Sequence, residues 1–150
     1  MNLAALLICF VLSVPLAAQT PAASAPAEDY SGMYSFLREG EFVQLTIEDD
    51  GKVSGFISRY GDTDSDRGAF LDQFFKQATI DGTKLSFTTA TVHGVWFEFR
   101  GAIERGAGKS TSEEGYYILK GTLTEYRTDA DKKVTSKSRE ASFKSFPREG

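Results

Sequence analysis

The chain has 150 residues, a formal net charge of −4 at pH 7 and one cysteine, Cys9. A single cysteine excludes an internal disulfide framework, and this length is typical of one domain. The acidic balance argues against nucleic acid as a partner, because nucleic-acid binding usually needs a basic face.

The N-terminal segment has the composition of an export signal. Residues 1–27 contain no Asp, Glu, Lys or Arg, and residues 3–16 form an apolar run. A run of about 14 residues followed by small residues and prolines is typical of a secretory signal peptide and too short to span a bilayer. We expect cleavage after Ala18 or Ala27. The sequence therefore predicts a secreted or periplasmic protein with no transmembrane segment in its mature chain, residues 28–150.

Alternating segments with polar turns follow from Tyr30 onward. In EFVQLTIE, Val43, Leu45 and Ile47 share one face, which is the period of a half-buried strand. The Asp-Gly pair that follows predicts a tight hairpin to the next segment. The further segments, in chain order, are KVSGFISR, KQATI, KLSFTTAT, VWFEFRGAIER, GYYILKGTLTEY and VTSKSREASFKSF.

One segment, AFLDQFF, breaks this alternation. Its apolar residues recur at i, i+1, i+4 and i+5 from Phe70, which is helical spacing. Asp66 stands where an N-cap residue would accept backbone hydrogen bonds. The sequence therefore predicts one short helix near residues 66–76, and we expect this helix to plug or gate one end of the fold.

The whole pattern predicts an all-β fold. About eight strands follow one another with short polar turns, and no helix-length segment separates strand pairs as parallel crossovers would need. Glycines inside strands, at positions 55, 101 and 121, suit the sharp bends of a small barrel. We therefore expect residues 28–150 to form a single antiparallel up-and-down β-barrel. A two-sheet β-sandwich is the alternative.

Two stretches, SGMYSF (31–36) and LTIEDDGKVSGFI (45–57), resemble the start of a calycin barrel, the group of lipocalins, fatty-acid-binding proteins and avidins. In that group a Gly-x-Trp motif opens the first strand; here Gly32 matches and Tyr34 replaces the tryptophan. The group's signature also includes an arginine near the closed end of the barrel. The resemblance implies a calycin-like barrel with a cavity for a small ligand, and it specifies no particular ligand.

The loop RYGDTDSDRGAF places Asp62, Asp64 and Asp66 at alternate positions, an arrangement that can direct hard oxygen ligands at calcium. An EF-hand also needs Gly at its sixth position and Glu at its twelfth, and Arg67 and Gln73 stand there. The EF-hand is therefore excluded. A looser calcium site and a polar turn with a capping aspartate both remain open.

Trp96 shares the polar face of its strand with Glu98 and Arg100. On the outside of the barrel these side chains would contact a partner or lie under a loop, whereas in a wet interior they would contact a ligand. Aromatic residues of the first strand and of the AFLDQFF segment are further candidates. The candidate ligand-binding residues are Tyr34, Phe36, Phe70, Phe74, Trp96, Glu98 and Arg100.

His93 is the only histidine, so a zinc site built on histidine and cysteine is excluded in the mature chain. Three functions remain. The first is a non-enzymatic exported barrel that binds a small, partly apolar molecule. The second is a secreted or envelope-associated protein-interaction module with a filled core, which would bind through Trp96 and the basic C-terminal tail, and the third is a hydrolase that uses His93 with a loop aspartate. We favour the first, with no cofactor other than the calcium considered above. The oligomeric state stays open.

Overall fold

The computed structural model describes residues 28–149, and the predicted signal peptide with both cleavage sites lies outside them. The described residues form one antiparallel sheet of eight strands in sequential order, β1 to β8. No helix in this part of the chain is long and apolar enough to cross a membrane. The strands are β1 (Gly32–Ser35), β2 (Phe42–Ile47), β3 (Val53–Tyr60), β4 (Phe70–Asp81), β5 (Lys84–Thr89), β6 (Val95–Arg105), β7 (Tyr117–Thr128) and β8 (Val134–Lys144).

The sheet curls until its first and last strands meet. Tyr34 of β1 forms an antiparallel bridge with Ser145, just after β8. Beside this bridge, the Phe146 amide donates to the Met33 carbonyl oxygen over 2.8 Å. A single sheet whose edges meet in this way is a barrel, which confirms the predicted fold and excludes the two-sheet sandwich.

Inward-facing side chains fill the middle of the barrel with aromatic rings. Phe87 stacks on Phe75 and on Phe99, with ring centroids 4.3 and 5.3 Å apart. Phe36 packs edge-on against Phe97 at 5.4 Å. These contacts favour the filled core over a hollow interior. The buried core residues are Tyr34, Phe36, Val43, Leu45, Val53, Ile57, Leu85, Phe87, Val95, Phe97, Phe99, Ile103, Tyr117, Leu119, Leu123, Ala141 and Phe143.

The predicted helix near residues 66–76 is wrong, because this segment is the loop before β4 and the first half of that strand. Both faces of β4 carry aromatic residues, so their spacing along the sequence matched that of one face of a helix. Phe75 points inward. Phe70 and Phe74 are exposed, and their tilted rings pack across the strand pair on Tyr60 and Phe56. A buried glutamine on the inward face hid the alternation.

A glycine pair lets β6 and β7 approach closely. Gly101 and Gly121 lie opposite each other, and a Cβ on Gly121 would lie 2.2 Å from the Arg100 carbonyl oxygen. We expect Gly121→Ala to lower the free energy of unfolding by about 3 kcal/mol, because the strands must move apart. At Gly82 a Cβ meets nothing within 4 Å, so Gly82→Ala should cost only the about 1 kcal/mol of its positive φ. Equal losses in urea unfolding would contradict this account.

One end of the barrel is closed by the N-terminal and C-terminal segments. The Tyr34 hydroxyl donates to the Tyr30 carbonyl oxygen over 2.6 Å, and burial raises the pKa of this phenol. The Arg148 guanidinium lies beside Gly32 and donates to the Asp29 carbonyl oxygen over 3.1 Å. Arg148 therefore joins the C-terminal segment to the N-terminal segment at this end of the barrel.

Candidate functional site

At the opposite end of the barrel, four arginines converge on a cavity of about 210 Å³. Phe36 and Phe97 form part of its wall, and both belong to the aromatic core. We call this opening the arginine mouth. Its charged lining residues are the arginines Arg38, Arg59, Arg127 and Arg139 and the carboxylates Glu41, Asp62 and Glu125.

The mouth forms because the inward faces of three strands continue past the apolar core into charged residues. The inward row of β3 ends at Arg59, two residues beyond the buried Ile57. On β7, Glu125 and Arg127 follow the buried Leu123. On β8, Arg139 precedes the inward Ala141. Strand alternation directs these side chains to the inner face, and their positions along the strands place them at one end of the barrel.

Arg59 is the most deeply buried charge of the mouth, with 3% of its surface exposed. Its Nε donates to Gln73 Oε1, and its Nη1 donates to Asp62 Oδ2 over 3.2 Å. The guanidinium also lies 5.8 Å from the centre of the Phe97 ring. Burial lowers the pKa of Arg59, and the nearby Asp62 carboxylate opposes this shift.

Asp62 connects the arginines of the mouth. Its carboxylate accepts a hydrogen bond from Arg127 Nη2 over 2.7 Å, and it lies 3.7 Å from Arg38 Nη2. The hydrogen bond that Arg127 donates to Asp62 is the main reason that the pKa of Arg127 is raised. Glu41, 3% exposed, accepts from Arg38 Nε over 2.9 Å and from the Tyr60 amide over 3.0 Å.

Arg139 is the arginine of the mouth that stays without an ion pair among residues 28–149. The mouth thus carries one positive charge more than its carboxylates neutralise. Arginine presents a planar fork of donors that matches a carboxylate or phosphate group. The arrangement is therefore suited to hold a small anion against an aromatic floor.

A larger cavity of about 760 Å³ opens at the closed end, between the N-terminal segment and the turns after β2 and β4. Its lining includes four carboxylates, and neither lysine nor arginine contributes to it. None of its lining residues is fully buried, so the cavity is a broad gap between exposed turns. The arginine mouth, which contains buried polar groups, is the better candidate site. The four carboxylates are those of Glu28, Asp29, Glu48 and Asp49.

Comparison with known proteins supports the fold. The crystal structure of the rhizavidin–biotin complex contains a similar chain, with a TM-score of 0.54 and 10% sequence identity. The match covers 77% of this chain and 98% of that chain. In its fold, the barrel therefore resembles the calycin type. No family model and no curated protein matches the sequence.

The calycin-type barrel places two predicted ligand residues inside it. Phe36 lines the arginine mouth, whereas Tyr34 is fully buried at the closed end and does not line that cavity. Phe70 and Phe74 lie on the outer wall, 51% and 61% exposed. Of the predicted first-strand and β4 aromatics, only Phe36 therefore belongs to the candidate site.

The predicted polar row on β6 also lies on the outer wall. Trp96 stacks on Tyr126 with ring centroids 5.1 Å apart, and Arg100 Nε donates to Glu98 Oε1 over 2.6 Å. The interior of the barrel is filled by the other face of β6, which carries Phe97 and Phe99. A role for the row as interior ligand contacts is therefore not supported by its placement.

The three loop aspartates face different partners. Asp62 turns to the mouth arginines, Asp64 is 94% exposed beside Arg67, and Asp66 accepts hydrogen bonds from Thr63. Within residues 28–149, no group of three or more His, Cys, Asp or Glu side chains is placed to hold a metal ion. Calcium binding stays a prediction, and it would require these carboxylates to leave their present partners.

His93 does meet a loop carboxylate. Its Nδ1 lies 2.5 Å from Asp66 Oδ2, and this contact joins the loop after β3 to the loop after β5. His93 has a positive φ of 49°, which suits its place in a tight turn. Neither side chain lines the arginine mouth. The contact that the hydrolase hypothesis requires is present, but it lies outside the candidate site.

The Asp66 contact predicts a pH dependence of stability. The pKa of this carboxyl is lowered from 3.8 to about 2, mainly by the hydrogen bond from the Thr63 hydroxyl and also by that from His93, although burial opposes the shift. The unfolded chain binds the proton first, so this stabilisation is complete above about pH 4 and lost as the pH falls toward 2. The melting temperatures of wild type and Asp66→Asn should therefore converge between these values, whereas those of wild type and Asp64→Asn should stay parallel. Parallel curves for both variants would contradict the prediction.

Sequence reasoning missed most of the mouth. Arg59, Arg127 and Arg139 stand at inward positions of strands whose other inward residues are apolar. A charged residue at an inward position of an otherwise apolar row was the sequence signal from which these three arginines could have been predicted to lie inside the barrel. Arg38 and Asp62 lie in loops, and only the folded chain brings them to the mouth.

Proposed function

We propose that the protein is an exported, non-enzymatic binding protein that holds a small anionic molecule in the arginine mouth. The observation that carries this proposal is Arg59, a guanidinium on the inner wall that is 3% exposed. Burial of a cation costs free energy, and an apolar residue of similar size would close the barrel at lower cost. Asp62 compensates Arg59 within the protein, so Arg139 of the same mouth, which has no ion pair in the described residues, is the positive charge left to recognise an anion.

The mouth also indicates the size and chemistry of the ligand. A cavity of about 210 Å³ is smaller than the roughly 300–1,000 Å³ of drug-sized ligand sites. Its floor is aromatic and its rim is rich in arginine, so we infer a carboxylate or phosphate group joined to a compact apolar body. The calycin-type neighbour rhizavidin was crystallised with the small molecule biotin, which supports a ligand-binding barrel without indicating this ligand.

The proposal includes export of the protein from the cytoplasm. The uncharged N-terminal segment predicts a secretory signal, and a secreted or periplasmic binding protein would meet small anions from the surroundings. The alternative function, a protein-interaction module with a filled core, is supported by the packed aromatic interior and by the exposed aromatic residues on the outer wall.

Isothermal titration calorimetry with phenyl phosphate and benzoate tests the proposed site. We expect Arg139→Gln to weaken phenyl phosphate binding at least about 10-fold, and to leave folding intact because Arg139 has no ion pair in the described residues. Arg100→Gln is the matched control, because it removes one positive charge from the outer wall. It should change the affinity by less than about 2-fold.

Two results would overturn the proposed site. Equal weakening by Arg139→Gln and Arg100→Gln would show that the protein attracts anions only through its overall charge. Absence of binding by the wild type to both probes would show that the mouth does not recognise a carboxylate or phosphate group on a small aromatic body.

A further inference from the structure

The outer wall of β2, β3 and β4 carries a row of aromatic side chains. Phe56 contacts Phe42 and Phe74, with ring centroids 5.9 and 5.3 Å apart, and Tyr60 packs on Phe70 at 4.5 Å. Phe70 and Phe74 are 51% and 61% exposed. We call these five residues the outer stripe. The stripe consists of two aromatic groups, and the Ser58–Asp72 pair lies between them. Apolar residues grouped in this way mark an interaction surface more often than scattered ones do.

Opposite charges flank the centre of the outer stripe. Asp72 and Lys76 stand two residues before and two residues after Phe74 on β4, and both are exposed. Within residues 28–149 neither makes an ion pair. The barrel thus leaves one acid and one base two residues to either side of its most exposed phenylalanine, with Lys76 at a β-bulge between Phe75 and Gln77.

We propose that the outer stripe binds a second copy of this chain and forms a two-fold symmetric dimer. In such a dimer the two β4 strands run antiparallel across the axis, which passes near Phe74. Asp72 of each copy then faces Lys76 of the other, so the same pair forms twice. A two-fold interface requires this self-complementarity, in which residue i contacts residue j and j contacts i.

The charges of the outer wall favour a second copy over a lipid surface. Among the outward positions of β2 to β4, Lys76 is the one basic residue, and it is balanced by Asp72. Peripheral binding to anionic lipid needs a cluster of lysines or arginines around the apolar residues. Aromatic side chains at the centre and a polar rim are instead typical of protein interfaces.

A charge-swap series tests the dimer. Sedimentation equilibrium on the purified mature protein, residues 28–150, measures the dissociation constant of the wild type, Asp72→Lys, Lys76→Asp and the double variant. Each single variant places like charges opposite each other twice, so we expect the dissociation constant to rise at least about 30-fold. The double variant restores both pairs, and its constant should return to within about 5-fold of the wild type.

Further measurements separate this proposal from its rivals. Phe74→Ser should also give a monomer, with the far-ultraviolet circular dichroism of the wild type as evidence of folding. Phenyl phosphate binding should be unchanged in all these variants, because none of the substituted residues lines the arginine mouth. A wild type that stays monomeric at about 100 µM overturns the proposal. A wild-type dimer unaffected by the single charge variants, or one that the double variant does not restore, overturns it as well. Binding of wild type but not Phe74→Ser to phosphatidylglycerol vesicles, without dimers, would assign the stripe to a lipid surface.

Discussion

Replacement of Gln73 by leucine is expected to lower the free energy of unfolding by about 3 kcal/mol. Gln73 is fully buried, and its Nε2 donates to the Ala90 and Val95 carbonyl oxygens over 3.1 and 2.8 Å. Its Oε1 accepts from Arg59 Nε. Leucine removes all three hydrogen bonds and leaves a buried guanidinium with one acceptor fewer.

Urea unfolding monitored by circular dichroism measures this loss. Gln77→Leu is the matched control, because Gln77 is exposed on the same strand, and it should change stability by no more than about 0.5 kcal/mol. If both variants were equally stable, the hydrogen bonds of Gln73 would contribute nothing beyond packing. The attachment of β4 to the loop after β5 would then need another explanation.

Replacement of Asp62 by asparagine is expected to move stability and affinity in opposite directions. The Asp62 carboxylate accepts from Arg59 and Arg127 over 3.2 and 2.7 Å. Its neutralisation leaves a buried cation poorly compensated, which should cost about 2 kcal/mol of stability. The same change removes a negative charge that competes with the ligand, so phenyl phosphate should bind about 10-fold tighter.

The control for Asp62→Asn lies in the same loop. Asp64→Asn makes the same change in charge at a side chain that is 94% exposed. It should alter stability by no more than about 0.5 kcal/mol and leave affinity within about 2-fold of the wild type. Weaker phenyl phosphate binding by Asp62→Asn would contradict the account, because it would make Asp62 a ligand-binding group rather than a competitor.

Strand alternation predicted the fold well where one face of a strand is apolar. Val43 and Leu45 on β2 and Phe97 and Phe99 on β6 are fully buried as their spacing indicates. The choice between barrel and sandwich depended on the meeting of β1 with the end of β8, a contact between the two ends of the chain. Local periodicity carries no information on such a contact.

The failures have physical reasons as well. The helix prediction failed because Gln73 stands at an inward position of a strand whose two faces both carry phenylalanine. The mouth was missed because charges are expected on outer faces, whereas Arg59 and Arg139 continue inward rows. The burial of an arginine can be explained only when its hydrogen-bond acceptors are known, and here they come from the next strand and the next loop.

The Nε–Hε signals of the arginine side chains, followed by nuclear magnetic resonance during titration with phenyl phosphate, test the central claim most directly. We predict that the signals of Arg59, Arg127 and Arg139 shift and saturate at one common concentration, while that of Arg100 stays in place. Stationary mouth signals, or an equal shift of Arg100 over the same range, would contradict anion binding in the arginine mouth.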